Sequence, residues 1–214
     1  MDSSLRLTAE GVAAHAAHPS TGINAISGLM KAVSELPLQN ELSRIAAFYM
    51  KYIGFDLTGK GLGIDLSDEI SGKLSFNVGK VEVQDYKVIF SIDNRVPVTY
   101  RCMQVQELIQ KHLSGSGFRF ENPNAQNRFI SQKTFFPSVQ ALLESYRTVV
   151  GDSSAMPLVD GACSYARALD NCVAFGALLP DQPDLMHQTN EYLELDKLDI
   201  WMKIYLDAIY RLAK

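Results

Sequence analysis

Cysteine is scarce in this 214-residue chain: Cys102, Cys163 and Cys172 are the only three, they form no Cys-x-x-Cys pair, and their odd number makes no closed framework. A disulfide-stapled scaffold is thereby excluded, and buried free thiols in a reducing compartment are the simpler expectation. Long hydrophobic runs are also missing. The longest, such as 172–179, fall well short of the ~20 residues that span a bilayer. The N-terminus has no charged-then-apolar signal pattern either, so no membrane partner is expected and the chain reads as soluble and cytoplasmic. Nor is there a run of Lys or Arg. With 20 basic and 24 acidic residues interspersed and a formal charge of -4, the sequence offers no electrostatic footprint for nucleic acid. The usual zinc signatures are absent too: no His-x-Asp, no Glu-Glu pair and no HExxH occurs. A zinc ion needs three or four converging N, O or S ligands, so these residues by themselves are not expected to hold zinc tightly.

What remains is an ordinary globular composition, 47% hydrophobic and 21% charged, enough for one large domain or two small ones. Leu5, Leu7 and Ala9 alternate with polar residues and predict a strand. Asn24 is placed to cap a helix carrying Ala25, Ile26, Leu29, Met30, Val33 and Leu36 at helical spacing, ended by Pro37. A second helix is predicted over 41–53, followed by a glycine-punctuated stretch, 54–72, that reads as an inserted loop. Leu74, Phe76 and Val78 alternate, Gly79 suggests a bulge, and Val88, Phe90 and Ile92 alternate after a turn near Gln84 and Asp85. A helix over 100–113 and a strand from Phe118 to Phe120 complete the order β-α-β-β-α-β, a ferredoxin-like arrangement in an α+β fold.

Between 122 and 134 the composition turns polar, which sets an expected domain boundary near 130: a first domain over 1–130 with an insert at about 38–73, and a second over 131–214. In the second, Ser138 is expected to cap a helix, 156–159 and 172–178 read as short buried strands, and a final helix from Asp196 carries a stripe of Leu198, Trp201, Met202, Tyr205, Ile209 and Leu212. This α-β-β-α remainder is small, lacks a closing strand and would bury little core alone.

Four places could carry chemistry. His15 follows Gly11 and precedes Pro19, Gly22 and Asn24, at a strand end leading into a helix; it either packs the turn or presents imidazole to a ligand. Arg95, in Asp93-Asn94-Arg95-Val96-Pro97, stands at the rim where Pro97 ends the ladder; its planar fork suits a carboxylate, and an ion pair with Asp93 is the competing reading. The turn from Gly161 to Ser164 could offer backbone amides to an anion, and His187 lies in a loop before the last helix where it can reach a shared site. His112, on an apolar helical face, reads as structural.

Taken in order, these segments resemble the two-zinc metallopeptidase family of Xaa-His dipeptidases, carnosinases, aminoacylases and carboxypeptidase G, over about 5–213. The resemblance rests on Gly11, His15, Pro19, Gly22 and Asn24; on Asp93, Arg95 and Pro97; and on Ser164, Tyr165, Arg167, the Ala174-Phe175-Gly176 strand, His187 and Glu191. The Gly59-Lys-Gly-Leu-Gly-Ile64 insert is similar to the bacterial dipeptidase branch. The resemblance implies a lid domain followed by the C-terminal α/β remnant of a catalytic domain that binds two zinc ions, with free dipeptides as substrate. It implies that His15 faces the developing oxyanion, that Arg95 grips the dipeptide's C-terminal carboxylate with help from amides at Gly161 and Ser164, and that His187 is a terminal metal ligand. Ala162 and Cys163 depart from the family's glycines and crowd that turn. The family's other metal ligands precede the lid and are not in this sequence, so the chain alone is expected to be inactive, needing the N-terminal catalytic segment as partner. The alternatives are a non-catalytic interaction module that self-associates through exposed surface, and an amidohydrolase of N-acyl amino acids.

Overall fold

The computed structural model describes residues 6–121, 136–159, 164–169, 172–176, 178–186 and 188–214, and its contacts divide the chain into two units, 1–127 and 128–214. The expected boundary near 130 lies outside the described residues.

In the first unit, helix α1 (Ala25–Ser34) begins at Asn24, whose Oδ1 accepts the otherwise orphaned N–H groups of Ile26 and Ser27 at 2.9 and 3.3 Å. Its buried positions, Ser27, Met30 and Val33, recur every three residues and so fall on one face. Helix α2 (Glu41–Tyr52) opens on a capping box: Asn40 accepts from the Ser43 N–H and the Ser43 hydroxyl accepts from the Asn40 N–H. It packs on α1 and buries Ala46 and Tyr49.

Strands β3 (Ser75–Gln84) and β4 (Lys87–Arg95) form an antiparallel hairpin, and the two-stranded β1 (Ser67–Asp68) and β2 (Gly72–Lys73) precede it. Asp85 and Tyr86 make the turn, both at positive φ (50° and 60°), the two-residue geometry whose twist matches that of the strands. The register slips between Val78 and Lys80, so Gly79 is the bulge that its place in the alternation predicts. Phe76 and Val78 turn into a core shared with Tyr49, Leu62, Ile64, Leu74 and, from α3 (Cys102–Leu113), Val105 and Ile109.

The fold is α+β as expected, but its sheet is narrower than a full ferredoxin-like one. Among the described residues neither 6–10 nor 118–120 joins a ladder. Near the first, Val12 and Ile23 exchange both backbone hydrogen bonds at 3.0 Å instead, so the chain folds back on itself. Near the second, Phe118 stacks on Phe48 with ring centroids 3.5 Å apart and lies near Phe90, so side chains rather than backbone hold that segment. The inserted stretch over 54–72 contributes to the core: a single turn at Lys60–Leu62 and the residue after Gly63 bury Leu62 and Ile64.

In the second unit α4 (Pro137–Val150) and α5 (Leu198–Leu212) pack together, burying Ser145, Ile204 and Ala208. Helix α4 starts with Pro137 in its first turn and Phe136 before it, not with a Ser138 cap; proline's fixed φ and missing N–H suit that position. The expected buried strands over 156–159 and 172–178 are absent among the described residues, and Leu158 is 93% exposed. The α5 stripe is corrected too: Met202 and Ile209 lie 62% and 66% exposed, because the helix turns Ile204 and Ala208 towards α4 instead.

Asp68 organises the corner where the small hairpin meets α3. Its Oδ1 accepts the N–H groups of Ile70 and Ser71 and the Ser71 hydroxyl, and its Oδ2 accepts both the N–H and the hydroxyl of Thr99, each at 3.0 Å. Burial pushes the Asp68 carboxyl up, but the hydrogen bonds from Ser71 and Thr99 together outweigh it and hold the group well below the usual carboxylate range. A depressed folded-state value means that stability from this group is complete above the unfolded value, ~3.9, and is lost as pH falls below it towards the folded value. Asp68→Asn is therefore expected to lower stability by about 1–2 kcal/mol at pH 7. In urea melts the gap to the parent should narrow steadily below about pH 4; a gap independent of pH would show that the carboxylate charge contributes nothing.

Candidate functional site

The loop carrying His15 is shaped by two glycines. A Cβ on Gly11 would sit 2.4 Å from the Ile23 carbonyl oxygen, and one on Gly22 would sit 2.5 Å from that of Val12. The Val12–Ile23 bridge can form only because Gly11 and Gly22 carry no side chain. The chain then passes through His15, whose carbonyl accepts the His18 N–H at 2.9 Å, and through a tight turn at Pro19–Thr21 in which the Thr21 N–H and hydroxyl both donate to the His18 carbonyl. The two imidazoles lie 5.9 Å apart and tilted.

His15 lines a cavity of about 510 Å³ together with Asn24, Ser27, Tyr49 and Asn77 and a largely apolar remainder. Asn24 links its walls: besides capping α1, its Nδ2 donates to Asn77 Oδ1 at 2.8 Å and to the Val78 carbonyl at 2.9 Å. Beneath it the Ser27 hydroxyl donates to the Gly54 carbonyl at 2.7 Å and lies 2.9 Å from the Tyr49 hydroxyl, which completes the chain as donor. Burial pushes the Tyr49 phenol up, against the lowering effect of Ser27, so the phenol stays neutral.

Arg95 is the last residue of β4, paired across the ladder with Ser75. Its guanidinium is held by Asp93 through Nε to Oδ1 at 2.9 Å and Nη2 to Oδ2 at 3.0 Å, so the ion pair weighed from the sequence is present. Arg95 does not line the His15 cavity, although Asp93 sits opposite Asn77, which does. In the second unit Ser164 is exposed and precedes a turn at Tyr165–Ala168. Gly161 and His187 lie outside the described residues. His112 leans on Gly63, and its Nδ1 is 3.1 Å from the Leu108 carbonyl, a packing role. The bridging role of Asn24, and the Ser27–Tyr49 pair, were not read from sequence; the Asn77-Val78-Gly79 bulge was the one available signal. Among the described residues no group of three or more His, Cys, Asp or Glu side chains could hold a metal ion, so no complete metal site is built from them.

The first unit is thus an α+β domain in which packed helices, a bulged hairpin and a histidine loop closed by the Val12–Ile23 bridge come together. The peptidase dimerisation domain model matches residues 3–114, and the chain belongs to that family, the dimerisation domain of M20 peptidases. Two relatives carrying the name "Putative dipeptidase" extend the likeness beyond that domain. The one from Staphylococcus haemolyticus (strain JCSC1435) is 34% identical over 210 residues, and the one from Staphylococcus aureus (strain USA300) is 33% identical over 210 residues. Each alignment covers 98% of this chain and 44% of the relative, so the chain spans less than half the length of the relatives it matches.

If Asn24 both caps α1 and ties it to the bulge, two substitutions should separate the roles. Asn24→Ser keeps a capping oxygen but cannot reach Val78, and is expected to lose about 1 kcal/mol. Asn24→Ala loses both functions and should lose about 2 kcal/mol. Equal stability of Asn24→Ser and the parent in chemical denaturation would remove the bridging role.

Proposed function

We propose that the chain forms the lid and last catalytic stretch of a metal-dependent dipeptidase, and that it is inactive without the remaining segment. The reading is carried by the 210-residue likeness to relatives named as dipeptidases, which runs through both units. In it, Arg95 takes the C-terminal carboxylate of a free dipeptide: its fork is oriented by Asp93, and a guanidinium whose plane is set by one carboxylate can present another edge to a second. His15 donates a hydrogen bond to the oxyanion that develops at the scissile carbonyl, held for that purpose by the stapled loop. Backbone amides between Gly161 and Ser164 assist at the carboxylate. His187 serves as one terminal ligand for zinc, the other ligands coming from outside this chain; the metal, when bound, supplies Lewis-acid chemistry at the peptide carbonyl. The exposed Met202, Leu206 and Ile209 of α5 recur at i, i+4 and i+7, an apolar stripe that supports packing against the rest of such an enzyme.

A second reading has its own support. The matching family is described as a dimerisation domain, which favours self-association of this chain as an interaction module.

Zinc-dependent hydrolysis of alanyl-alanine separates the two. It is measured with the chain alone and with the chain mixed with the part of the S. haemolyticus relative outside the match. Activity is expected only in the mixture, with kcat/KM about 100-fold lower for Arg95→Ala. Turnover by the chain alone would overturn the inactivity, and a silent mixture containing a stable oligomer of this chain would favour the interaction module.

A further inference from the structure

We infer that Asp68 is a positioning residue for Arg95, acting through the backbone that follows it; the role of Arg95 itself rests on the function proposed above. A local aspartate turn needs only one carboxylate oxygen, and Oδ1 of Asp68 fills that part with Ile70 and Ser71. The other oxygen serves a distant segment. Oδ2 takes the N–H and hydroxyl of Thr99, 31 residues on, while Ser71 Oγ accepts the Val98 N–H at 2.9 Å. Pro97 has no N–H, so Val98 and Thr99 carry the first two donors beyond it, and both are held by the small hairpin. The Tyr100 N–H then donates to the Pro97 carbonyl at 3.0 Å, closing the turn into α3.

The same hairpin braces the other side of Arg95. Strand β2 runs into β3, the Leu74 N–H donates to the Leu66 carbonyl at 2.8 Å, and Ser75 is the cross-strand partner of Arg95. Arg95 thus stands at a corner gripped on one flank by the ladder and on the other by Asp68 and Ser71. The 54–72 stretch, beyond filling the core, sets where the guanidinium sits. Asp93 orients the side chain, and Asp68 places the backbone from which it springs.

The test uses the full nitrogen-15-labelled chain, with the Arg95 Nε–H resonance identified by its loss in Arg95→Lys. Asp68→Asn retains one acceptor for the local turn but cannot accept on both sides. It is expected to move the Arg95 resonance towards the free-arginine position and to speed its exchange about tenfold, with the methyl signals of Ile64 and Ile109 unchanged. If those core signals also collapse, Ser71→Ala and Thr99→Val, which each remove less, decide the matter by the same readout. An unmoved Arg95 resonance in all variants that keep the core signals overturns the inference. In the reconstituted dipeptidase assay, Asp68→Asn should raise KM about five- to tenfold with kcat within about twofold, and add nothing on an Arg95→Ala background. If Arg95→Ala leaves KM unmoved, the carboxylate reading falls, and the nitrogen spectrum still decides whether Asp68 positions Arg95.

Discussion

Asn24 uses every hydrogen-bonding valence its amide has. Two backbone N–H groups of α1 donate to its oxygen, and its nitrogen donates to the Asn77 side chain and the Val78 carbonyl. An aspartate at this position could not do both, because the cap needs an acceptor and the strand presents acceptors. The contact joins three things that would otherwise be free to shift: the start of α1, the bulge in β3, and the loop that ends on the Gly22 approach. The His15 loop inherits its geometry from this junction, since the Val12–Ile23 bridge lies immediately before Asn24.

The two units differ in how completely they satisfy the hydrophobic effect. The first encloses Tyr49, Phe76, Leu62, Ile64, Leu74 and Ile109 at 2% exposure or less, drawn from two helices, a strand and the segments between them. In the second, the fully enclosed positions of α4 and α5 are Ser145, Ile204 and Ala208, of which only Ile204 is large. Leu158, Tyr165, Leu195 and Leu206 are left in solvent.

Sequence patterns revealed the elements whose determinants are local. The Asn24 cap, the Gly79 bulge and the turn after Gln84 each depend on residues within a few positions, and each appears where expected. Pairing was less legible. Alternation over 5–9 and 118–120 says that a segment could be a strand, but not whether a neighbour lies within ladder distance; at Phe118 aromatic stacking prevails instead. The α5 stripe failed for a related reason: an apolar face records what the helix can bury, not what is present to bury it. At the candidate site, the ion pair of Arg95 could be weighed as one of two readings because both partners lie two residues apart, whereas the reach of Asp68 to Thr99 across 31 residues leaves no local trace.

Strand β3 connects the two functional candidates of the first unit. Phe76 and Val78 point into the core, so by the two-residue period Ser75 and Asn77 lie on the opposite face, together with their cross-strand partners Arg95 and Asp93. Asn77 is also the residue to which Asn24 donates, and through Asn24 the His15 loop is fastened. A shift of β3 would therefore be felt at the His15 loop, through Asn77 and Asn24, and at Arg95, through Ser75, whereas a change in the hairpin over 67–73 would reach Arg95 first. The two links leave β3 two residues apart on one face, and a strand fixes that separation more precisely than a loop would.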